Sequence, residues 1–372
     1  MLLFRFILPA LLASTACART EQNAVVGAAA ADTTAVISTV DSLSSAAQAP
    51  AQPHTATTPA PSQASTAAAA ARVPNELGRV PVLEYHIIGG TPALFTRTAA
   101  DFRADLELLY ERGYRPVSVS DLVDKKLDLP AGLSPVVFTF DDASPGQFRW
   151  IERNGQRVVD DTSAIGIWRD FQKTHADWPS RGTFCLLPGA KAGHAFFGEK
   201  GIDGQLSEWR FEKVRELAEA GFELCDHTLW HARLDKYTDA QVQEQIARGV
   251  LAIDSAVAGY RVRTFALPLG MWPKNRALAW RGSWIYPKGK REIPYNFDAV
   301  LEVSGGPSRS PHDPAFNPKS IPRNIVSANA LRVLLDALDK NGTRYVSDGN
   351  PATVARPSVA DRKRAPDSAP PR

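Results

Sequence analysis

Cysteine is scarce in this sequence, with three residues in a chain of 372. Cys17 lies close to the N-terminus, so only Cys185 and Cys225 remain for the part that we expect to fold. A framework of several disulfides is therefore excluded. Both remaining cysteines fall in predicted strands that would be neighbours in a sheet. We favour two buried free thiols, with a disulfide between them as the alternative, because a sequence does not supply pairing geometry.

A large excess of charge is also absent. The chain has 43 Lys and Arg against 40 Asp and Glu, a formal net charge of +3, and the cations form no basic block. We therefore expect no nucleic-acid partner. Long apolar runs are lacking too. Residues 6–13 are apolar, but this run is too short to span a bilayer.

Residues 1–17 have the pattern of a secretory signal peptide, with Arg5 ahead of the apolar run. Ser-Thr-Ala-Cys at residues 14–17 resembles a lipobox, in which a lipid is attached to the cysteine after cleavage. Cleavage after Ala16 or Ala18 without a lipid is the alternative and would release the protein. We expect export to the periplasm or the extracellular face, and we favour a lipid anchor at Cys17.

Residues 18–72 consist mainly of Ala, Ser, Thr, Gln and Pro, with very few large apolar side chains. Such a segment cannot bury enough surface to offset the entropy lost on ordering, so we predict a disordered spacer. Residues 351–372 are rich in Pro, Arg and Asp, and we predict a disordered tail there. Residues 73–350 are expected to form one folded domain.

Short apolar runs alternate with helical patterns within the expected domain. The predicted strands are residues 80–86, the run that ends at residue 141, and residues 183–187, 222–225 and 264–267. Thr238 and Gln241 form a capping-box pattern at the start of one predicted helix, and Ser327 is predicted to cap the last. Asn154 and Gly155 predict a β-hairpin. The alternation predicts an α/β fold with a parallel sheet, open or closed into a barrel.

Two pairs of polar side chains stand where predicted strands end. Asp141 and Asp142 follow an apolar run, and His227 and His231 are four positions apart. Carboxylate oxygens and imidazole nitrogens suit a divalent transition metal, and one carboxylate is left over to act as a base. Alone, two such histidines are common on a solvated helix face and Asp-Asp is common in turns. Together, at the carboxyl ends of parallel strands, they predict metal-assisted hydrolysis.

These motifs resemble those of a known family. Thr-Phe-Asp-Asp at residues 139–142, followed by His-Thr-x-x-His at residues 227–231, is similar to the first two motifs of the polysaccharide deacetylases, carbohydrate esterase family 4 with a NodB-like domain. Val-Pro-Val-Leu-x-Tyr-His at residues 80–86 and Phe-Ala-Leu-Pro-Leu-Gly at residues 265–270 agree with one branch of that family. The resemblance covers about residues 80–349. It implies a distorted (β/α) barrel that forms a single catalytic domain over residues 73–350.

The resemblance also implies roles for the motif residues. Asp141 would be the catalytic base that activates a metal-bound water, and Asp142, His227 and His231 would hold a divalent metal. Zinc is the expected metal, with cobalt or nickel as alternatives. The backbone N–H of Leu269, which follows Pro268, would face the oxyanion.

The expected reaction is removal of acetyl groups from N-acetylated amino sugars of an extracellular polysaccharide, either peptidoglycan or an N-acetylglucosamine polymer. The alternatives are an O-acetyl polysaccharide esterase of the same fold and a catalytically weak polysaccharide-binding protein. We expect a monomer whose partner is the acetylated polysaccharide.

The chain departs from the family pattern at the third motif, Arg-Pro-Pro-Tyr-Gly in many members. Ala266 stands in place of the arginine that pairs with the catalytic aspartate, and Leu269 stands in place of the tyrosine. Arg323 is a candidate replacement from another strand end, and a surface salt bridge is the equal alternative for it.

The late Leu-x-His motif, whose histidine protonates the leaving amine, has no clear equivalent. His86 should face the cleft and is either the proton donor or a residue that orients Asp141 or a metal ligand. Trp230 and Trp272 lie beside the motifs. Their rings would either stack on sugars or pack in the core or at the rim.

Overall fold

The computed structural model describes residues 72–189, 195–198 and 201–357. The expected signal peptide and the lipid site at Cys17 lie outside the described residues, as do residues 18–71 of the expected spacer and residues 358–372 of the expected tail. At the beginning of that tail, the backbone N–H of Glu76 donates to the carbonyl of Ala355 at 2.9 Å. Among the described helices, none is both long enough and apolar enough to cross a membrane.

The described residues form fourteen strands. These are β1 Val82–Tyr85, β2 Ile87–Ile88, β3 Thr96–Arg97, β4 Tyr114–Val117, β5 Ser134–Asp141, β6 Trp150–Arg153, β7 Gln156–Val159, β8 Thr183–Leu186, β9 Glu223–Asp226, β10 Thr264–Ala266, β11 Arg281–Tyr286, β12 Arg291–Asn296, β13 Ala299–Gly305 and β14 Ile321–Ile325. The α-helices of the same part of the chain are α1 Ala99–Glu111, α2 Val119–Val123, α3 Ala164–Thr174, α4 Arg210–Glu219, α5 Asp239–Ala256 and α6 Ala330–Lys340.

Seven parallel strands of the described chain close into a barrel in the order β1-β14-β13-β10-β9-β8-β5. The ring closes because Leu83 of β1 pairs with Asn324 of β14 on one side and with Phe138 of β5 on the other. Strand β4 adds a further parallel pairing to the first half of β5. The expected distorted (β/α) barrel is confirmed. Part of the distortion is a register shift between β13 and β14, between Leu301 and Gly305.

The barrel interior is lined by every second residue of its strands. One residue from each barrel strand joins the same buried cluster: Val82, Val137, Cys185, Cys225, Ala266, Leu301 and Ile321. The alternate residues Phe138 and Phe140 of β5 pack instead into the outer cluster beneath the helices. Since side chains alternate along a strand, Thr139 and Asp141 follow Val137 into the interior.

The two cysteines of the folded part form a disulfide between neighbouring strands. Cys185 of β8 and Cys225 of β9 are direct register partners, and both are fully buried. The preference for two free thiols was therefore wrong. The two strands were predicted from the sequence, but their register was not. The parallel pairing of β8 with β9 places these two side chains opposite each other inside the barrel.

Local signals in the sequence had different outcomes. The capping box at Thr238 and Gln241 is confirmed at the start of α5. The hairpin at Asn154 and Gly155 is confirmed between β6 and β7, and both residues have positive φ, 54° and 71°. The predicted cap at Ser327 was wrong, because the N-cap of α6 is Asn329. Ser327 instead accepts the Ala330 N–H through its carbonyl, in a turn ahead of the helix.

Candidate active site

The predicted site residues gather at the carboxyl end of the barrel. Strand β5 ends at Asp141, and β9 ends one residue before His227. His86 follows the end of β1, and Arg323 lies in β14. Because the strands are parallel, their carboxyl ends share one rim, and the barrel brings side chains far apart in sequence to that rim.

Asp142, His227 and His231 converge, each offering a donor atom within 4.8 Å of the others. The Oδ1 atom of Asp142 lies 3.3 Å from Nε2 of His227 and 3.7 Å from Nε2 of His231. His227 Nδ1 lies 2.9 Å from the carbonyl oxygen of Ala266. A carbonyl only accepts, so Nδ1 carries a hydrogen, and Nε2 is the ring nitrogen that faces Asp142.

This donor set fits a divalent metal. The Oδ1 atom of Asp142 is buried and has no hydrogen-bond partner in the described part of the chain. A buried carboxylate oxygen without a partner is costly, and a cation between it and the two imidazoles would satisfy it. One carboxylate and two imidazoles leave a coordination position open for substrate, as catalytic zinc sites require.

The electrostatics of the three ligands favour a cation as well. Burial lowers the pKa of His227, but the carboxylates of Asp141 and Asp142 outweigh burial and raise it to about 9. Burial raises the pKa of Asp142, but His227 holds it well below its usual range. Burial and the neighbouring His227 lower the pKa of His231 to about 4. Negative charge therefore dominates the space between the ligands, and a proton on His227 partly neutralises it.

Asp141 and Arg323 form a buried two-pronged ion pair. The two terminal guanidinium nitrogens of Arg323 donate to Oδ1 and Oδ2 of Asp141, each at 2.8 Å. The side chains are 0% and 1% exposed, so Arg323 does not form a surface salt bridge. Burial raises the pKa of Asp141, but Arg323 together with His227 and His86 outweighs burial and lowers it below the usual value. The carboxylate is therefore held ionised and in a fixed orientation.

The strand irregularity between β13 and β14 helps to hold Arg323. Its Nε donates to the backbone carbonyl of Glu302 at 2.5 Å, and one terminal nitrogen also donates to Thr139 at 3.0 Å. Glu302 lies within the shifted segment of β13. In a regular ladder, the Glu302 carbonyl would be used for pairing with the neighbouring strand. The register shift in β13 leaves it available to Arg323.

Glu84 is a buried acid of this site that sequence reasoning missed. Its Oε2 lies 3.4 Å from Nε of Arg323, and its Oε1 lies 3.4 Å from Nε2 of His86. Neither oxygen has a hydrogen-bond partner in the described residues. Burial raises the pKa of Glu84 to about 8, although Arg323 opposes this. The available signal was its position, two residues after the inward-facing Val82 in an apolar strand.

His86 lies at the same rim, with its ring 4.6 Å from that of Phe95. Glu84, His86 and Asp141 also offer donor atoms within 4.8 Å of one another. The guanidinium of Arg323 already contacts both carboxylates of that second group. A metal there would meet a buried cation, so the group around Asp142 is the better metal site.

The turn after β10 brings Pro268 and Leu269 to the same end of the barrel. Leu269 has φ 56° and ψ 12°, and its side chain is 48% exposed. The indole N–H of Trp272 donates to the Glu302 carboxylate, and Arg276 covers one ring face at 3.6 Å. Trp230 is 36% exposed, which leaves more of its ring open to a ligand.

Comparison with known proteins agrees with these motifs. Residues 181–281 match the model of the polysaccharide deacetylase family, a segment that contains His227, His231 and Leu269. No curated protein matches the sequence at a significant level.

Three solved structures resemble the chain over 70% of its length. They are the Streptococcus pyogenes deacetylase PplD in complex with acetate (16% identity, TM-score 0.49, 98% of that chain), IcaB from Ammonifex degensii (17%, 0.48, 97%) and a polysaccharide deacetylase from Bacillus cereus (17%, 0.48, 69%). The family model thus covers 101 residues of the chain, and the two motif histidines lie inside the matched segment.

Proposed function

We propose that the protein is a metal-dependent hydrolase that removes acetyl groups from N-acetylated amino sugars of an extracellular polysaccharide, peptidoglycan or an N-acetylglucosamine polymer. One observation carries the proposal. A three-donor group, Asp142 with His227 and His231, stands beside a separate carboxylate, Asp141, that is kept ionised by Arg323. Amide hydrolysis needs both parts, an electrophile to polarise the carbonyl and a base to take a proton from water.

Asp142, His227 and His231 would hold the divalent metal, zinc first and cobalt or nickel as alternatives. When bound, such an ion polarises the acetyl carbonyl and lowers the pKa of water. The imidazole of His227 is already oriented for this by its hydrogen bond to the Ala266 carbonyl.

Asp141 would take the proton from the attacking water. Its Oδ2 lies 3.8 Å from Nε2 of His227, so the base borders the metal group without belonging to it. Arg323 fixes both carboxylate oxygens and keeps the group ionised. Arg323 of β14 thus supplies the guanidinium that Ala266 does not. This removes one of the observations that favoured a catalytically weak binding protein.

The remaining steps fall to the rim residues. The backbone N–H of Leu269, after Pro268, would stabilise the oxyanion that forms when water adds to the acetyl carbon. When the C–N bond breaks, the amine needs a proton. His86 would donate it, or His86 would orient Asp141 while Asp141 returns the proton that it took.

Export fits this substrate. We propose that the protein acts outside the cytoplasm, held by a lipid at Cys17 and separated from the anchor by residues 18–72. We also propose that it works as a monomer and has no nucleic-acid partner.

The test is acetate release from peptidoglycan, chitin oligomers and acetylated xylan by the metal-loaded protein, with Asp141→Asn as the inactive control. Release from the first two substrates and not from xylan supports N-deacetylation. Release from xylan alone would replace it with the O-acetyl esterase. If wild type and Asp141→Asn release equal traces from every substrate, the proposed function is wrong.

A further inference from the structure

A row of alternating aromatic and cationic side chains leads away from the metal group. It begins at Trp230, which lies between the ligands His227 and His231 in sequence. The guanidinium of Arg248, on α5, lies 5.9 Å from the ring of Trp230 and 5.8 Å from the ring of Trp284 on β11. We call this row, which continues along the β11–β12 hairpin to its tip, the aromatic track.

The β11–β12 hairpin extends the track. The rings of Trp284 and Tyr286 are 5.7 Å apart, and Tyr286 is the cross-strand partner of Arg291. The turn that follows carries Lys288 and Lys290, both exposed. The track therefore runs from the metal ligands to a cationic hairpin tip.

The position of the track is fixed by neighbouring contacts. Arg248 is only 10% exposed and is held by Glu244 at 2.9 Å, so its guanidinium cannot move freely between the two rings. The Ser283 backbone N–H donates to the Gln243 side chain at 3.3 Å, which ties β11 to α5. A ligand would thus meet a surface that is already ordered, which reduces the entropy lost on binding.

Positive charge is in excess on the β11–β12 hairpin. Residues 281–296 contain four cations and a single acid, Glu292. Within the described ranges, no carboxylate forms an ion pair with Arg281, Lys290 or Arg291. Half-buried rings offer apolar faces to sugars, and the cations favour a ligand that carries negative charge.

We propose that the aromatic track and the hairpin tip bind the substrate strand beyond the reacting sugar, and that this strand is an anionic polysaccharide bearing carboxylates rather than a neutral homopolymer. The inference rests on the proposed function, because it assigns the polymer that the same site deacetylates. An anionic membrane would also attract the tip. A polymer is the better occupant, since the track starts between two metal ligands, where a membrane surface has no role.

Binding of two probes tests the proposal in the full chain with the Asp141→Asn change, which prevents turnover. The probes are solubilised peptidoglycan strands with stem peptides, which are anionic, and chitin oligomers of similar length, which are neutral. Lys290→Glu with Arg291→Glu should weaken binding of the anionic strands about tenfold, because each of the two lost exposed ion pairs changes the affinity about threefold. Binding of chitin oligomers should stay within about twofold.

A matched control is Arg332→Glu with Lys340→Glu. Both positions are exposed and lie on α6, outside the hairpin, and the pair changes the net charge by the same amount as the hairpin variant. This control should bind both probes like the parent. In the chain with Asp141 restored, the α6 control should release acetate from chitin tetramer at the parental rate.

Equal binding of peptidoglycan strands by hairpin variant and parent overturns the proposal, as does equal weakening by the α6 control. Binding to vesicles of anionic lipid, lost in the hairpin variant while peptidoglycan binding persists, would replace the polymer with a membrane. The proposed function is judged separately, by acetate release. Anionic strands that bind through the tip, with no acetate released from any of the substrates, would leave the track in place and refute the deacetylase.

Discussion

Replacing Arg323 by methionine isolates the contribution of the buried ion pair to stability and to the base. The substitution keeps most of the side-chain volume but removes both 2.8 Å bonds to Asp141 and the donor to the Glu302 carbonyl. Asp141 is then a buried carboxylate without its cation. Breaking such a pair on one side costs about 3–5 kcal/mol. For a domain of this size, that predicts a fall in Tm of roughly 10 °C.

The pH dependence of that loss has a definite sign. In the wild type the folded-state pKa of Asp141 is lowered, so its stabilising contribution is present above the unfolded-state pKa and is lost as pH falls through the folded-state pKa. In Arg323→Met, the largest of the contributions that lower this pKa is gone, so burial should raise the pKa of Asp141 above its wild-type value. The Tm difference between the two proteins should therefore be largest near neutral pH and should shrink on acidification. The acid limb of the acetate-release profile should move to higher pH.

Calorimetry on EDTA-treated protein separates this effect from metal binding. Arg323→Lys keeps the charge but cannot make two parallel bonds, so it should fall between wild type and Arg323→Met. Asp141→Asn combined with Arg323→Met removes both charges and should be more stable than the sum of the two single changes predicts. A double variant that is merely additive, or an Arg323→Met protein with an unchanged Tm and pH profile, would show that the ion pair does not stabilise the fold or hold Asp141 ionised.

Three further predictions concern the metal group, the buried acid and the disulfide. Elemental analysis should find near-stoichiometric zinc or a similar metal in the wild type and none in a His227→Ala, His231→Ala double variant. A double variant that kept its metal would contradict the ligand assignment. Since burial raises the pKa of Glu84 to about 8, the wild type loses stability as pH rises through that value. EDTA-treated Glu84→Gln should therefore gain Tm relative to wild type between pH 5 and pH 9, and a constant difference would count against the buried acid. Thiol titration in denaturant should find Cys185 and Cys225 unreactive until a reductant is added, and two free thiols without reductant would contradict the disulfide. Replacing both cysteines by serine should lower the free energy of unfolding by about 2–4 kcal/mol.

The sequence predicted the ends of the strands better than the way in which they close. The run before Asp141 and the segment before His227 are recognisable because their apolar residues are continuous and each is followed by polar ligands. Closure depends on β1 pairing with both β5 and β14, whose residues are far from it along the chain. Local patterns carry no information about such pairings, so they could not distinguish an open sheet from a closed barrel. Only the family resemblance implied the barrel.

The same limit applies to the contacts that depend on register. Arg323 lies 182 positions from Asp141, and its bonds exist only because β14 and β5 both flank β1. Cys185 and Cys225 face each other only because β8 and β9 pair in one particular register. Glu84 was missed for a different reason. Its side chain faces inward like that of Val82, but an acid in an apolar strand gives no indication of which groups it meets inside the barrel.

The backbone at Asp142 explains how two adjacent carboxylates acquire different roles. In a continuing strand, Asp141 and Asp142 would project to opposite faces. Asp142, the first residue after β5, instead has φ 74°, and both carboxylates then lie within 4 Å of Nε2 of His227, at 3.8 and 3.3 Å. The left-handed conformation is unfavourable for most side chains, although aspartate tolerates it better than most. Its effect is to keep Asp141 facing Arg323 inside the barrel while Asp142 turns towards the two histidines. The proposed base and the proposed metal ligand are thus adjacent in sequence and still have different partners, a guanidinium for Asp141 and two imidazoles for Asp142.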